Sequence, residues 1–160
     1  ANDVDMVKTR STASQTYERV KTSFSLQELP GIKSTFNALC LQNNNGADIY
    51  IYPGFLVMFN SEENFGILEL NKIDILFSET NFIESEQRPS DSVLVKYVWE
   101  KANKNGSRDK RFADNRQLPV MKYGEITLFK RGAIHEKYML SNSKKADEFV
   151  DNLNKFTLSI

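Results

Sequence analysis

The sequence predicts an α+β domain: N-terminal helices, then about seven antiparallel strands in a bent sheet or partly open barrel, then a capping C-terminal helix. Three observations support this class. Apolar residues follow helical spacing before residue 46, the period changes to that of strands from Asp48, and an amphipathic stretch closes the chain. The predicted domains are an N-terminal tail with two short helices over residues 1–46 and a β-rich domain over residues 47–160.

The N-terminal helices are predicted from two apolar stripes. The first consists of Ala13, Tyr17, Val20 and Phe24, and the second of Ile32, Phe36, Leu39 and Cys40. Leu29-Pro30-Gly31 separates them, because Pro and Gly interrupt a helix. The cluster from Asn43 to Gly46 ends the second stripe, since Asn and Gly tolerate positive φ.

The strands are predicted from short apolar runs bounded by turn residues. They span residues 49–52, 55–59, 67–77, 93–99, 120–123, 126–129 and 134–140, and residues 81–83 are a candidate for an additional short strand. A change of parity within 67–77 predicts a β-bulge near Asn71-Lys72. Pro53-Gly54 is a predicted tight turn, because Pro pre-sets φ and Gly accepts a positive φ. Tyr123-Gly124-Glu125 is a predicted turn between two later strands. The alternation of Val93, Val95, Tyr97 and Trp99 places these side chains on one face of their strand.

The last helix is predicted from a cap followed by an apolar face. Asn142 or Ser143 is the expected N-cap. The apolar face carries Ala146, Phe149, Val150, Leu153 and Phe156. We expect this face to cover the open end of the sheet, with the two phenylalanine rings buried.

The order of elements from Asp48 to Phe156 resembles the pleckstrin-homology-like (PH-like) superfold. This resemblance implies a fold and no ligand, because no residue motif of the phosphoinositide-binding members is visible. A second, local pattern looks like one that recurs in uncharacterised bacterial proteins, and it implies a bacterial cytoplasmic origin without an activity. Its residues are Trp99, Asn103–Phe112, Asn115–Pro119, Tyr123-Gly124 and Ser141-Asn142.

Composition excludes several classes of protein. Twenty-one basic residues balance 21 acidic residues over 160 positions, so no global field favours nucleic acid or a membrane surface. The single cysteine, Cys40, allows no intrachain disulfide. No apolar run approaches the roughly 18–20 residues of a membrane span. We expect a cytoplasmic chain, either processed or part of a larger protein, whose oligomeric state the sequence does not determine.

The inventory of reactive side chains predicts neither an enzyme nor a cofactor. Zinc requires about four Cys, His or carboxylate ligands, whereas this chain has one Cys and one His. Cys40 lies on an apolar stripe, so we expect a buried, inert thiol. His135 has the opposite parity to Ile134 and Tyr138 and is expected to face solvent. Glu84 and Glu86 are interpreted as turn carboxylates.

The basic insert at residues 101–116 is the candidate binding segment. Its candidate ligand-binding residues, with the tryptophan that precedes it, are Lys104, Arg108, Lys110, Arg111, Arg116, Trp99 and Phe112. Cations beside aromatic rings are typical of phosphate contact with base stacking. The same residues are also typical of an ordered loop, in which Asp109 and Asp114 pair with arginines and Phe112 anchors the loop in the core.

These observations predict a non-catalytic interaction module that binds a protein partner, as part of a larger bacterial chain. An exposed sheet edge and a groove beside the last helix are the expected docking surfaces for a peptide. The alternative is the binding of an anion, either nucleic acid or an acidic head group, through the basic loop.

Overall fold

A computed structural model describes residues 21–44 and 46–159 of the protein. The structure is mostly β: of the described residues, 48% lie in strands and 14% are helical. The predicted α+β class, with N-terminal helices and a bent sheet or partly open barrel, is therefore wrong, because the described strands form two sheets and residues 21–44 contain strands in place of helices. The strands are β1 (Phe24–Gln27), β2 (Ala38–Leu41), β3 (Asp48–Tyr52), β4 (Phe55–Ser61), β5 (Asn64–Glu69), β6 (Asp74–Ile83), β7 (Val93–Trp99), β8 (Gln117–Lys130) and β9 (Ile134–Leu140), with a 3-10 helix at Leu70–Lys72 and the helix α1 at Ser143–Leu158.

Residues 21–44 contain two strands where helices were predicted. Phe24 and Leu26 alternate with Ser25 and Gln27, and this period of two is the one that β1 uses to pair with β2. Leu39 and Cys40 lie on β2, which in turn pairs with β3. Backbone pairing with neighbouring strands thus overrides the helical spacing of the apolar residues. Residues 13–20 of the first predicted helix lie outside the described residues.

The first sheet has five antiparallel strands in the order β1-β2-β3-β4-β5. The predicted hairpin around Pro53-Gly54 is confirmed: Tyr52 pairs with Phe55, and Gly54 has a φ of 87°. Such a positive φ favours glycine, which lacks a Cβ. The paired strands β2 and β3 lie on opposite sides of residue 46, at which the sequence predicts a domain boundary. That boundary stays a prediction.

The long strand predicted over residues 67–77 is interrupted. β5 ends at Glu69, a 3-10 helix spans Leu70–Lys72, and β6 begins at Asp74 in the second sheet. Leu70 is buried, and its N–H donates to the carbonyl of Gly54 at 3.0 Å. The parity change that predicted a bulge therefore marks the passage of the chain from one sheet to the other.

The second sheet has the order β6-β8-β7, and β9 also pairs with β8. β8 is one 14-residue strand, so the turn predicted at Tyr123-Gly124-Glu125 is wrong. A Cβ on Gly124 would lie 2.4 Å from the Cβ of Ala146. Glycine stands here because α1 packs directly on the strand, and not because the backbone turns.

The cap predicted for α1 is confirmed at Asn142, whose Oδ1 accepts the N–H of Lys145 at 3.0 Å. Ala146, Val150 and Leu153 are buried as expected. Phe156 is 39% exposed, so its predicted full burial is wrong. Nowhere in residues 21–44 or 46–159 is there a helix with the length and apolarity that a membrane crossing requires.

The described chain divides into two compact units, of which one comprises residues 21–75, 128–136 and 151–159 and the other residues 76–127 and 137–150. The first contains a core cluster of Leu29, Ala38, Cys40, Tyr50, Tyr52 and Val57. The second contains two clusters, one of Ile83, Leu118 and Val120 and one of Phe82, Met121 and Tyr123. Val98 packs on the former cluster and Leu94 on the latter, so both attach β7 to its unit.

Candidate functional site

Strand β7 lies at an edge of the second sheet, because β8 is its one neighbour among the described strands. Its pairing with β8 is regular from Lys96 to Trp99, opposite Val120 to Gln117. A register shift between Leu94 and Lys96 leaves Val95 in a bulge. The predicted common face for Val93, Val95, Tyr97 and Trp99 is thereby broken, since a bulge changes the side to which the following residues point.

The backbone groups of Tyr97 and Trp99 face away from β8. The N–H of Glu100 donates to the carbonyl of Arg116 at 2.9 Å, which makes these two residues a hydrogen-bonded pair. Antiparallel pairs alternate, so Tyr97 opposite Pro119 and Trp99 opposite Gln117 are non-hydrogen-bonded pairs. Their N–H and C=O groups point to the side of β7 that no described strand occupies, hereafter the open edge.

Large apolar side chains are exposed along the same strand. Val93 is 60% exposed, Val95 44% and Tyr97 53%. Lys96 is the single charged residue in the strand, whose sequence is VLVKYVW. Edge strands that stay unpaired usually carry charges or proline to discourage pairing, and this strand carries little of either.

The segment that follows β7, residues 100–116 (hereafter the β7–β8 loop), is held by buried polar groups. Asn115 accepts the N–H of Lys101 at 3.0 Å and donates to the carbonyl of the same residue at 2.6 Å. The N–H of Asp109 donates to that carbonyl at 3.1 Å. Asn115 and Asp109 are both buried, so the loop is an ordered extension of the β7–β8 hairpin.

The predicted pairing of Asp109 with an arginine is confirmed. The carboxylate is 2% exposed and accepts the Arg111 Nη2 at 2.6 Å and Nε at 3.0 Å, in a fork-to-fork geometry. This contact raises the pKa of the Arg111 guanidinium above its ordinary value. The geometry gives Arg111 a structural role inside the loop.

The other two arginines also contact the loop or the strand that leads into it. Arg108 lies 5.4 Å over the Trp99 ring and donates to the carbonyl of Ala113 at 3.2 Å. Arg116 pairs with Glu100 at 2.9 Å. Each of the three arginines singled out by the sequence therefore already has an acidic, aromatic or carbonyl partner within residues 99–116.

Phe112 is 38% exposed and does not provide the buried anchor that the sequence predicted. The ammonium group of Lys101 lies 4.5 Å from the centroid of its ring, and the Arg111 guanidinium lies at 6.0 Å. Two cations of the chain itself thus already lie beside the ring on which a base would have to stack.

Lys104 and Lys110 differ from the other candidate cations. Both are exposed, and neither forms an ion pair with a described residue. They are the two candidate residues whose charge the loop itself does not use. The sequence identified the basic insert, but it contained no signal that separates these lysines from the arginines.

The remaining reactive groups singled out by the sequence are Cys40, His135 and Glu84. Cys40 is fully buried, and burial raises the pKa of its thiol. His135 is exposed and makes an edge contact with the Phe129 ring at 5.3 Å. Glu84 is buried, contrary to its interpretation as a turn carboxylate, and accepts the Tyr123 hydroxyl at 2.7 Å. Among the described residues, no group of three or more His, Cys, Asp or Glu is placed to hold a metal ion.

Comparisons with protein-family models, with curated proteins and with solved structures find no match to this chain. The local resemblance to bacterial proteins and the cytoplasmic location consequently stay predictions.

Proposed function

We propose that this chain is a non-catalytic interaction module that binds an extended segment of a protein partner along the open edge of β7. The observation that carries the proposal is the exposure of Val93, Val95 and Tyr97 on a strand with one described neighbour. An added strand gains main-chain hydrogen bonds from the edge and specificity from the side chains beside it.

The regular half of β7 is the part that supports this mode of binding. Tyr97 and Trp99 offer two N–H and two C=O groups on the open edge, in a stretch whose register with β8 is unbroken. The strand is already held in an extended conformation by its pairing with β8. It therefore loses little conformational freedom when a segment docks. The exposed ring of Tyr97 provides a large, rigid contact at the centre of this stretch.

The test begins with a library of random ten-residue linear peptides displayed for selection against the purified protein. We expect selected peptides to have alternating apolar residues and to shift the amide resonances of Tyr97 and Trp99. Tyr97→Lys should weaken binding at least about tenfold, because truncating an anchor of this kind typically costs more than 1.4 kcal/mol.

The matched control is Ile67→Lys, which changes an exposed apolar residue on β5, an edge strand of the first sheet. It should bind the selected peptides as the wild type does. The proposal fails if no peptide binds with a Kd below about 1 mM. It also fails if Tyr97→Lys and Ile67→Lys bind equally well.

A further inference from the structure

The β7–β8 loop is organised before any ligand arrives. The buried side chain of Asn115 donates to the backbone carbonyls of Lys101 and Asp109, and the Arg111 guanidinium pairs with the buried Asp109 carboxylate. The backbone of Ala102 also pairs with that of Arg108, which continues the hairpin beyond β7. A preorganised loop presents its remaining charges in fixed positions and avoids the entropy cost of ordering them on binding.

The charge left over on this loop is positive. Residues 100–116 contain six basic and three acidic residues, in a chain whose formal net charge is zero. Two of the acidic residues, Glu100 and Asp109, pair with arginines of the same loop. Among the exposed cations of this loop, Lys104 and Lys110 have no described residue as an ion-pair, ring or side-chain hydrogen-bond partner, whereas Arg108 contacts Trp99 and Ala113. These two lysines are therefore available to carboxylates of a partner.

A nucleic-acid ligand is less well matched to the same surface. Binding of single strands combines phosphate contacts with stacking of bases on aromatic rings. Arg108 already lies over Trp99, and Lys101 already lies over Phe112. With the arginines engaged as well, the loop offers two uncommitted lysines and two aromatic rings that each already have a cation of the chain beside them.

We infer that the β7–β8 loop makes the open edge of β7 selective for extended protein segments that carry carboxylates at one end, which Lys104 and Lys110 contact. This inference rests on the proposed docking along β7. The loop follows directly from the last residue of β7, so the end of a docked strand that passes Trp99 comes to lie beside the loop. Acidic residues at that end of the segment contact the two lysines. The part of the segment with alternating apolar residues forms backbone hydrogen bonds with Tyr97 and Trp99.

Three synthetic peptides of ten residues test this selectivity. All share a central run in which valine alternates with threonine; one has two glutamines at each end, and the others replace one glutamine pair, at either end, with glutamates. We expect one of the two acidic peptides to bind roughly fivefold tighter than the neutral one, as two exposed ion pairs allow. The gain should shrink as salt is raised.

The double variant K104E/K110E should lose this gain and still bind the neutral peptide as the wild type does. The matched control K33E/K145E reverses two exposed lysines outside the loop and changes the net charge equally. It should keep the gain. Thermal unfolding of both variants, together with the neutral peptide, verifies that each protein is folded and that its β7 edge is intact.

The outcomes separate the two proposals. If the neutral peptide binds and neither acidic peptide binds tighter, the inference about carboxylates is wrong and the docking along β7 stands. If none of the three peptides binds, the proposed function itself is contradicted. A ten-nucleotide single-stranded DNA serves as the competing probe. If it binds more tightly than the acidic peptides and K104E/K110E abolishes this, the loop is a nucleic-acid site and the inference is overturned.

Discussion

The side-chain amide of Asn115 bonds both backbone groups of Lys101, as a residue of a neighbouring strand would. It donates to the carbonyl of Lys101 and accepts the N–H of the same residue. The side chain is buried, so water cannot replace these bonds readily. The order of the β7–β8 loop, and hence the placement of its cations, depends on this residue.

Replacing Asn115 with alanine should lower the free energy of unfolding by roughly 1–3 kcal/mol, because the part-buried N–H of Lys101 loses its partner and its C=O keeps only the N–H of Asp109. Asn105→Ala, at the exposed tip of the same loop, is the control and should cost less than about 1 kcal/mol. Urea unfolding measures both. Equal values for the two variants would show that the amide of Asn115 does not hold the loop.

Tyr50 and Cys40 are two titratable residues buried in the same core cluster of the first sheet. Burial raises the pKa of Tyr50 to about 12, with Cys40 and Asp48 adding to the shift. Burial also raises the pKa of the Cys40 thiol. Both groups are therefore held in their neutral, protonated forms in the folded protein.

The raised pKa of Tyr50 makes the free energy of unfolding fall as the pH rises above the ordinary tyrosine pKa. The folded state keeps the Tyr50 proton that the unfolded chain releases above its ordinary pKa of 10.0. The stabilisation is complete below that value and is lost as the pH rises toward about 12. Urea unfolding across this range should show the free energy falling less steeply for Tyr50→Phe than for the wild type. Parallel profiles for the two proteins would contradict the raised pKa.

At the scale of elements, the contact between β8 and α1 depends on the absence of a side chain. The Cβ that Gly124 lacks would meet Ala146 at 2.4 Å and the Cα of Ser143 at 3.1 Å. The polar contact beside it, from Ser143 Oγ to Glu79 Oε1 at 3.0 Å, ties the start of the helix to β6. The first turn of α1 therefore lies directly on the sheet.

Gly124→Ala should destabilise the protein by roughly 1–3 kcal/mol, because the added methyl overpacks a close contact. Combining it with Ala146→Gly removes the facing methyl, although glycine inside a helix itself costs about 1 kcal/mol. The double variant should be more stable than the sum of the two single effects implies. Strict additivity in this cycle would mean that the two positions do not touch.

At the scale of the whole molecule, charge balance is the property that the sequence states most directly. The formal net charge is zero near neutral pH. Proteins without net charge repel one another weakly, and exposed apolar residues such as Val93 and Leu26 then favour association. Solubility should therefore be lowest near neutral pH.

Precipitation with polyethylene glycol measures this expectation. The wild type should be least soluble near pH 7 and more soluble about two units to either side. The variant K33E/K145E, with a formal charge changed by four units, should be more soluble than the wild type at pH 7 and should unfold at a similar temperature. A solubility that is unaffected by pH and by these substitutions would contradict the role of net charge.

Local chemistry allowed the sequence alone to predict several elements correctly. The hairpin of β3 and β4, the Pro53-Gly54 turn and the Asn142 cap each depend on residues within a few positions of one another. The basic loop and its aromatic neighbours were also found, because charge and ring content are visible in composition. For these features the interacting groups are close in sequence, so the local sequence pattern is enough to predict the structure.

Tertiary structure alone decided the remainder. Phe24 and Leu39 fit a helix and a strand equally well by spacing, and pairing with β2 and β3 selects the strand. Gly124 fits a turn until Ala146, 22 positions later, packs against it. The open edge of β7 exists because the order of the described strands places a neighbour on one side of β7 and none on the other. Each outcome depends on a hydrogen-bonding or packing partner that is remote in sequence, so no local pattern determines it.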